Sequence, residues 1–200
     1  MKIAVVSFYF PPEKGAASQR IWNMAAALSD RGNDVSVLCP HPNYPTGKIF
    51  EGYGAGVFET ETMGKMTIRR HWLYPTNSKK GSLRLFSMLS FSAMLFVSLP
   101  FLAKKKPDVI IVNSPPLFAG AAGVILSKLL GCKCVLNVSD LWPKSALELG
   151  AISAGRKYKL LEGLERFMYK KANMILTQSE ESKVLRFHQV FTHPSSVLST

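Results

Sequence analysis

The sequence predicts an α/β domain: a Rossmann-like, doubly wound, mostly parallel sheet with helices on both faces. Three observations point there. Apolar runs alternate with helical patterns along most of the 200 residues. Several of those runs, Ile3–Phe10 and Val109–Asn113 among them, are apolar almost throughout rather than alternating. Strands covered on both faces by crossover helices read this way. Finally, 47% of the residues are hydrophobic and 19% charged, enough to build one sizeable core and too apolar for a disordered chain.

The elements follow in order. Ile3–Phe10 is the first strand. Ile21, Met24, Ala25 and Leu28 recur at helical spacing, so Ser18 to Arg31 is an amphipathic helix, with Gly32 placed to stop it. Val35–Cys39 is the second strand. Residues 40–64, rich in Gly, Pro, Asn and Tyr, read as a long loop, and Met66–Leu73 as the third strand. Leu83–Ala103 is a long apolar helix, Val109–Asn113 the fourth strand and Phe118–Leu130 a further helix. Lys133–Val138, Arg156–Lys171, Met174–Thr177 and Ser179–Phe187 then read as strand, charged helix, strand and short helix. One domain, residues 1–182, is expected; 183–200 reads as a tail or linker.

The net charge of +12 and pI of about 9.8 favour an anionic partner. Nucleic acid is not expected, because no helix-turn-helix, RRM or zinc pattern accompanies the basic residues. Cys39, Cys132 and Cys134 are too few and wrongly spaced for a disulfide framework or a zinc site, and read as reduced core residues. A dinucleotide fingerprint is missing after the first strand, and no P-loop, H-E-x-x-H or G-x-S-x-G occurs. Glu51 and Glu59 match E-x₇-E by chance, in a loop. His41, His71, His188 and His193 are scattered.

On an open parallel sheet, ligands bind beyond the carboxyl ends of the strands. The segments falling there are PPEKGAASQR, PHPNYPTGK, NSPPLFAG, SDLWPKSA and QSEES. With their flanking strands, YFPPEKGAASQRIWNMAAALSDRGNDVSVLCPHPNYPTG, KPDVIIVNSPPLFAG and VLNVSDLWPKSALELG resemble successive blocks of the retaining family 4 glycosyltransferases. These have the two-domain GT-B fold, and the blocks are closest to the bacterial subgroup that assembles capsule, O-antigen and colanic acid. The resemblance runs from Met1 to about Ser182.

The resemblance implies an N-terminal, acceptor-side half of an enzyme that moves a sugar from a nucleotide-sugar to a lipid-linked saccharide acceptor. The anomeric configuration is kept, and neither cofactor nor metal is required. A C-terminal domain with a true E-x₇-E motif would hold most of the donor. Gly15, Ala16 and Arg20 are then the donor-phosphate loop, with backbone N–H groups of the helix start facing the diphosphate. Asp140 is the candidate catalytic carboxylate, orienting the acceptor hydroxyl or taking its proton; its competing role is a helix cap. Asn43, Tyr44, Asn113, Ser114 and Trp142 are acceptor-site candidates, and Ser179 lies near the cleft. The chain departs from the family twice: Gly15-Ala16 stands for Gly-Gly, and Ser139 stands where many members carry histidine.

Leu85–Ala103 holds nineteen residues without a charge, with Lys79, Lys80 and Arg84 before it and Lys104, Lys105 and Lys106 after. A transmembrane span, a buried core helix and a helix with its outer face in the surface of an anionic bilayer all fit such a run. A span would break the sheet. The interfacial reading implies a peripheral protein at the cytoplasmic face of the cell membrane.

Overall fold

In the computed structural model, which describes residues 1–54, 56–140, 155–177 and 197–199, eight strands form one sheet. Chain order is β1 (Lys2–Val6), α1 (Ala16–Asp30), β2 (Asp34–Pro40), β3 (Phe58–Met63) and β4 (Met66–His71). There follow α2 (Gly81–Met94), a 3₁₀ turn (Leu95–Ser98), α3 (Leu99–Lys105), β5 (Val109–Ser114) and α4 (Leu117–Leu129). The last elements are β6 (Lys133–Val138), α5 (Arg156–Lys171), β7 (Met174–Thr177) and β8 (Val197–Ser199). The sheet order is β3-β4-β2-β1-β5-β6-β7-β8, parallel except for the β3–β4 pair. The predicted α/β architecture is therefore the observed one.

The chain winds outward from β1 through β2 to β4, then returns to place β5 on the other side of β1. That reversal opens a crevice beyond the carboxyl ends of β1 and β5, where ligands of such sheets bind. Alternation along β1 sends Ile3 and Val5 to one face and Ala4 and Val6 to the other. The first face packs under α1 through Ile21 and Ala25. The second packs under α2, α3, α4 and α5 through Phe91, Leu102, Leu126 and Met168.

Several boundaries move. β1 stops at Val6, and Ser7 to Phe10 leave the sheet. Phe8 enters one core cluster and Phe10 the other, while the Ser7 hydroxyl donates to the Tyr9 carbonyl. The first helix starts two residues before Ser18. The expected loop 40–64 contains β3, which forms a hairpin with β4 through Gly64, φ +61°, and Lys65. The alternation of Glu and Thr along FETETM is an edge-strand pattern that charge disguised. β8 extends the sheet into the stretch expected to be a tail, whereas the helix expected at 179–187 lies outside the described residues.

The long apolar helix is broken, and Pro100 explains where. It lacks an N–H and its ring crowds the carbonyl four residues earlier, so it sits at the start of a new helix, α3. The segment buries serines together with part of its apolar side chains and leaves other apolar side chains outside. Ser87, Ser92 and Ser98 are buried, whereas Leu85, Phe86, Leu89, Phe96 and Val97 are exposed. The serines are used inside: Ser92 donates to the Met88 carbonyl, and Ser98 meets His71. Half-buried Ser90 accepts from the Tyr74 amide. The segment connects two strands of one sheet and contributes Phe91, Leu95 and Leu102 to its core, so a span is ruled out by topology and full burial by exposure.

His71 locks this segment to β4. Its Nδ1 lies 3.3 Å from the Cys39 carbonyl, which only accepts, so the ring proton is there and Nε2 accepts from Ser98 at 2.6 Å. Burial holds the His71 pKa down to about 4 from 6.5. Between pH 6.5 and 4 the unfolded chain takes this proton while the folded chain does not, so stability falls as pH falls across that window. His41, also buried and held low, adds in the same sense, and Glu13, whose carboxyl is raised, opposes. A tenfold change in proton affinity corresponds to about 1.4 kcal/mol. Denaturant melts at several pH values should show His71→Gln with a shallower loss of stability between pH 6.5 and 4 than the wild type.

Candidate functional site

Three adjoining hollows follow the carboxyl ends of the strands, and Tyr9 lines all of them. The widest, about 540 Å³, lies between the loop after β2 and α2; Asn43, Tyr44, Asn77, Arg84 and Met88 are in its wall. An apolar slot of about 210 Å³ continues it between Met88 and Pro115–Phe118. The third, about 200 Å³, sits at the start of α1 among Tyr9, Glu13, Lys14, Gly15–Ser18 and Tyr44. A larger hollow of about 660 Å³ opens at the opposite end of β5 and β6, among Lys106, Asp108, Cys132 and Lys133. It is remote from the crevice where the winding reverses, so the sheet geometry favours the first three.

The start of α1 is built to be open. Gly15 is its N-cap and offers no side chain to the first-turn N–H groups, and no acidic residue lies in that turn. Its φ of 165° is extended backbone, open to any residue. A Cβ placed on it would meet nothing within 4 Å. Neither backbone strain nor packing within the chain therefore calls for glycine, whereas close approach of a ligand would. Gly15 and Ala16 line the third hollow together with Lys14, an exposed cation. Arg20 is exposed, stands a turn further along because the helix starts early, and is not in the wall of the hollow.

Glu13 joins this loop to the next. It is only 5% exposed, and its Oε1 accepts from the Asn43 N–H at 2.8 Å and the Tyr44 N–H at 2.9 Å. Burial pushes its carboxyl above the usual range, against those two hydrogen bonds. Asn43 is buried with its side-chain amide on the His41 carbonyl, and Tyr44 is half exposed, its ring edge-on to Tyr9 at 5.9 Å. Gly47, φ +69°, lets this loop lie against Thr76 and Asn77: a Cβ would come within 2.2 Å of the Asn77 nitrogen. The sequence-predicted pair Asn43 and Tyr44 thus reaches the widest hollow together.

Asn113 and Ser114 sit at the end of β5, both buried. The Asn113 amide donates to the Val6 carbonyl, and its oxygen accepts from Asn137 at 2.7 Å. Its side chain stitches β1, β5 and β6 together at the crevice rather than reaching into a hollow. The Ser114 carbonyl accepts from the Ser139 N–H. Asp140 is exposed just beyond β6, two strands from β1. Trp142 and Ser179 lie outside the described residues. Among the described residues, no three His, Cys, Asp or Glu side chains gather as a metal site would.

The profile of the glycosyl transferase 4-like domain matches residues 15–184. The chain belongs to this family. Among solved structures it is similar to sucrose-phosphate synthase from Thermosynechococcus elongatus, with a TM-score of 0.68 at 13% identity. The match covers 99% of this chain and 47% of that one, so the chain spans about half the length of the protein it resembles. At that identity the likeness is one of fold, and the fold is that of a GT-B glycosyltransferase domain. The G-domain of FeoB from Methanococcus jannaschii also aligns, over 93% of this chain and 95% of that one, at 14% identity and a TM-score of 0.30, too low to bear on the fold. No curated protein matches in sequence.

Glu13, Lys14, Tyr9, Ser18, Asn77 and Arg84 are among the cleft residues to which the sequence gives no role in a site. Glu13 carries a signal, since an acid between Pro-Pro and a glycine has to be solvated or satisfied; Tyr9 hides inside an apolar run. Replacing Gly15 by alanine should leave the melting temperature within a degree or two, because the Cβ has open space. The same change should weaken binding of UDP, used as a phosphate-bearing probe, severalfold if an anion approaches the loop. Melting curves alongside UDP titration separate these effects.

Proposed function

We propose that this chain is the acceptor side of a retaining glycosyltransferase that moves a sugar from a nucleotide-sugar to a lipid-linked saccharide in bacterial surface polysaccharide assembly. The single observation behind it is the uncapped start of α1 opening into the hollows at the β1/β5 crevice, in a chain of the glycosyl transferase 4-like family. The first-turn N–H groups and Lys14 face the region where a leaving diphosphate needs stabilisation. In this reading they serve in place of a metal. The wider hollow, between Asn43, Tyr44, Asn77 and Arg84, takes the acceptor. A second Rossmann-like domain completes the donor site. Asp140, at the rim of β6, orients the acceptor hydroxyl or takes its proton.

The exposed face of α2 and the 3₁₀ turn supports a peripheral site of action, at the cytoplasmic face of the membrane. Leu85, Phe86, Leu89, Phe96 and Val97 face outward on a segment with Lys79, Lys80 and Arg84 at one end and Lys104, Lys105 and Lys106 at the other. An apolar stripe between cationic ends complements an anionic lipid surface, and each surface lysine adds about 1 kcal/mol there. The widest hollow opens beside this face, through Arg84, Ser87 and Met88.

In the enzyme joined to its donor domain, Asp140→Asn should lower kcat about 100-fold or more, the lower end for general acid–base groups, with little change in melting temperature. A drop in stability with activity kept would mark a cap instead. Sedimentation with phosphatidylglycerol vesicles should show binding that weakens with salt but does not vanish. Changing Lys104, Lys105 and Lys106 to Glu should reduce it strongly. No salt-sensitive binding would sink the membrane reading.

A further inference from the structure

We propose that Glu13 and Ser18 form a hydroxyl-binding subsite of the cleft, which takes a sugar ring beside the start of α1. The proposal rests on the sugar-transfer reading and deepens it. Its basis is a pair of buried polar atoms with no partner among the described residues: Glu13 Oε2 and Ser18 Oγ. Glu13 is 5% exposed and Ser18 2% exposed. Both residues line the same hollow of about 200 Å³, at the N-terminal end of the 15-residue helix α1.

Buried polar atoms in folded proteins are nearly always hydrogen-bonded, and leaving one without a partner is costly. Here two such atoms belong to residues that line one hollow, where the chain also leaves its helix end uncapped. The chemistry of the pair narrows the ligand. An ionised carboxylate only accepts, so its occupant has to donate an O–H or N–H. A cation is disfavoured, because the helix start carries partial positive charge and Lys14 stands beside it. A neutral hydroxyl, adjacent to an anion that the helix end attracts, satisfies both demands. Ser18 can donate to or accept from a neighbouring hydroxyl. The Tyr9 and Tyr44 rings, edge-to-face at 5.9 Å, give the hollow apolar walls against which the C–H face of a sugar packs. The raised carboxyl of Glu13 agrees with an oxygen that is buried before its donor arrives.

Glu13 thereby has two jobs, one on each oxygen. Oε1 holds the Asn43 and Tyr44 amides, and so the acceptor loop; Oε2 reads the sugar. Glu13→Gln separates them. Its carbonyl oxygen can still accept from the two amides, while an NH₂ replaces the acceptor that faces the sugar.

The test is amide chemical-shift titration of this chain with glucose, galactose, mannose and N-acetylglucosamine, and separately with UDP. At least one sugar should shift the Asn43, Tyr44 and Ser18 amides of the wild type. Glu13→Gln should weaken that sugar at least tenfold and Ser18→Ala severalfold, with melting temperatures close to wild type. The UDP response at Gly15–Ala17 should persist in both variants. If no sugar in the panel shifts those amides in the wild type, or if Glu13→Gln and Ser18→Ala bind it as the wild type does, the subsite is refuted. Should Glu13→Gln fail to fold, Ser18→Ala decides alone. Loss of the UDP response in the wild type counts instead against the phosphate-loop reading.

Discussion

The guanidinium of Arg70 holds the carboxyl edge of the sheet together. It lies at the end of β4, 1% exposed, where a charge needs every hydrogen bond it can make. Nε donates to Glu61 on β3 and Nη2 to the Pro11 carbonyl, both at 2.5 Å. Nη1 reaches the Cys39 sulfur on β2, and the guanidinium carbon lies 4.9 Å from the Tyr53 ring centroid. One side chain therefore links the antiparallel edge strand, the end of β2 and the loop that leads to α1. Glu61 is partly exposed, so the pair is worth less in attraction than a dry one. Its larger effect is geometric, because removing the guanidinium would leave the partly buried Pro11 carbonyl without its donor.

From that anchor the cleft is assembled in steps. Arg70 pins Pro11, two residues before Glu13; Glu13 then pins Asn43 and Tyr44. The loop after β1 and the loop after β2 are thus coupled through one carboxylate, across 30 residues of sequence. On the other side of β1, Asn113 and Asn137 close the ends of β5 and β6. Two of the groups left unsatisfied after this bonding, Glu13 Oε2 and Ser18 Oγ, belong to residues that line a hollow where a ligand has room.

A different logic governs α2 and the 3₁₀ turn after it. Several polar groups there face inward because the sheet edge supplies partners for them: His71 for Ser98, and the Tyr74 amide for Ser90. Alongside the buried Phe91 and Leu95, a stripe of apolar groups is left outside, with lysines at its ends. In water that arrangement exposes Phe86 and Leu89 without return, and a lipid surface would reverse the sign of that cost. The polar hollow and the apolar face meet at Arg84 and Met88.

The sequence by itself determined the parallel sheet, because Ile3–Val6, Val109–Val112 and Val135–Val138 are near-continuous apolar runs that only double-sided burial explains. It also determined which segments meet at the carboxyl edge, since strand direction sends every strand-to-helix loop to the same end. Gly15, Asn43 and Tyr44 were legible for that reason. The tertiary structure alone decided the rest. β3 pairs through alternation masked by glutamates, one of which, Glu61, finds its partner Arg70 across the hairpin. Which face of Leu83–Ala103 points inward depends on hydrogen-bond partners far away in sequence, so a run apolar almost throughout left its orientation open. Asn113 looked like a ligand residue and is spent on the sheet, whereas Glu13, which the sequence left without a role, is buried in the cleft. Periodicity reports which residues share a face; it carries no information on which polar atoms will find one another once distant loops are brought together.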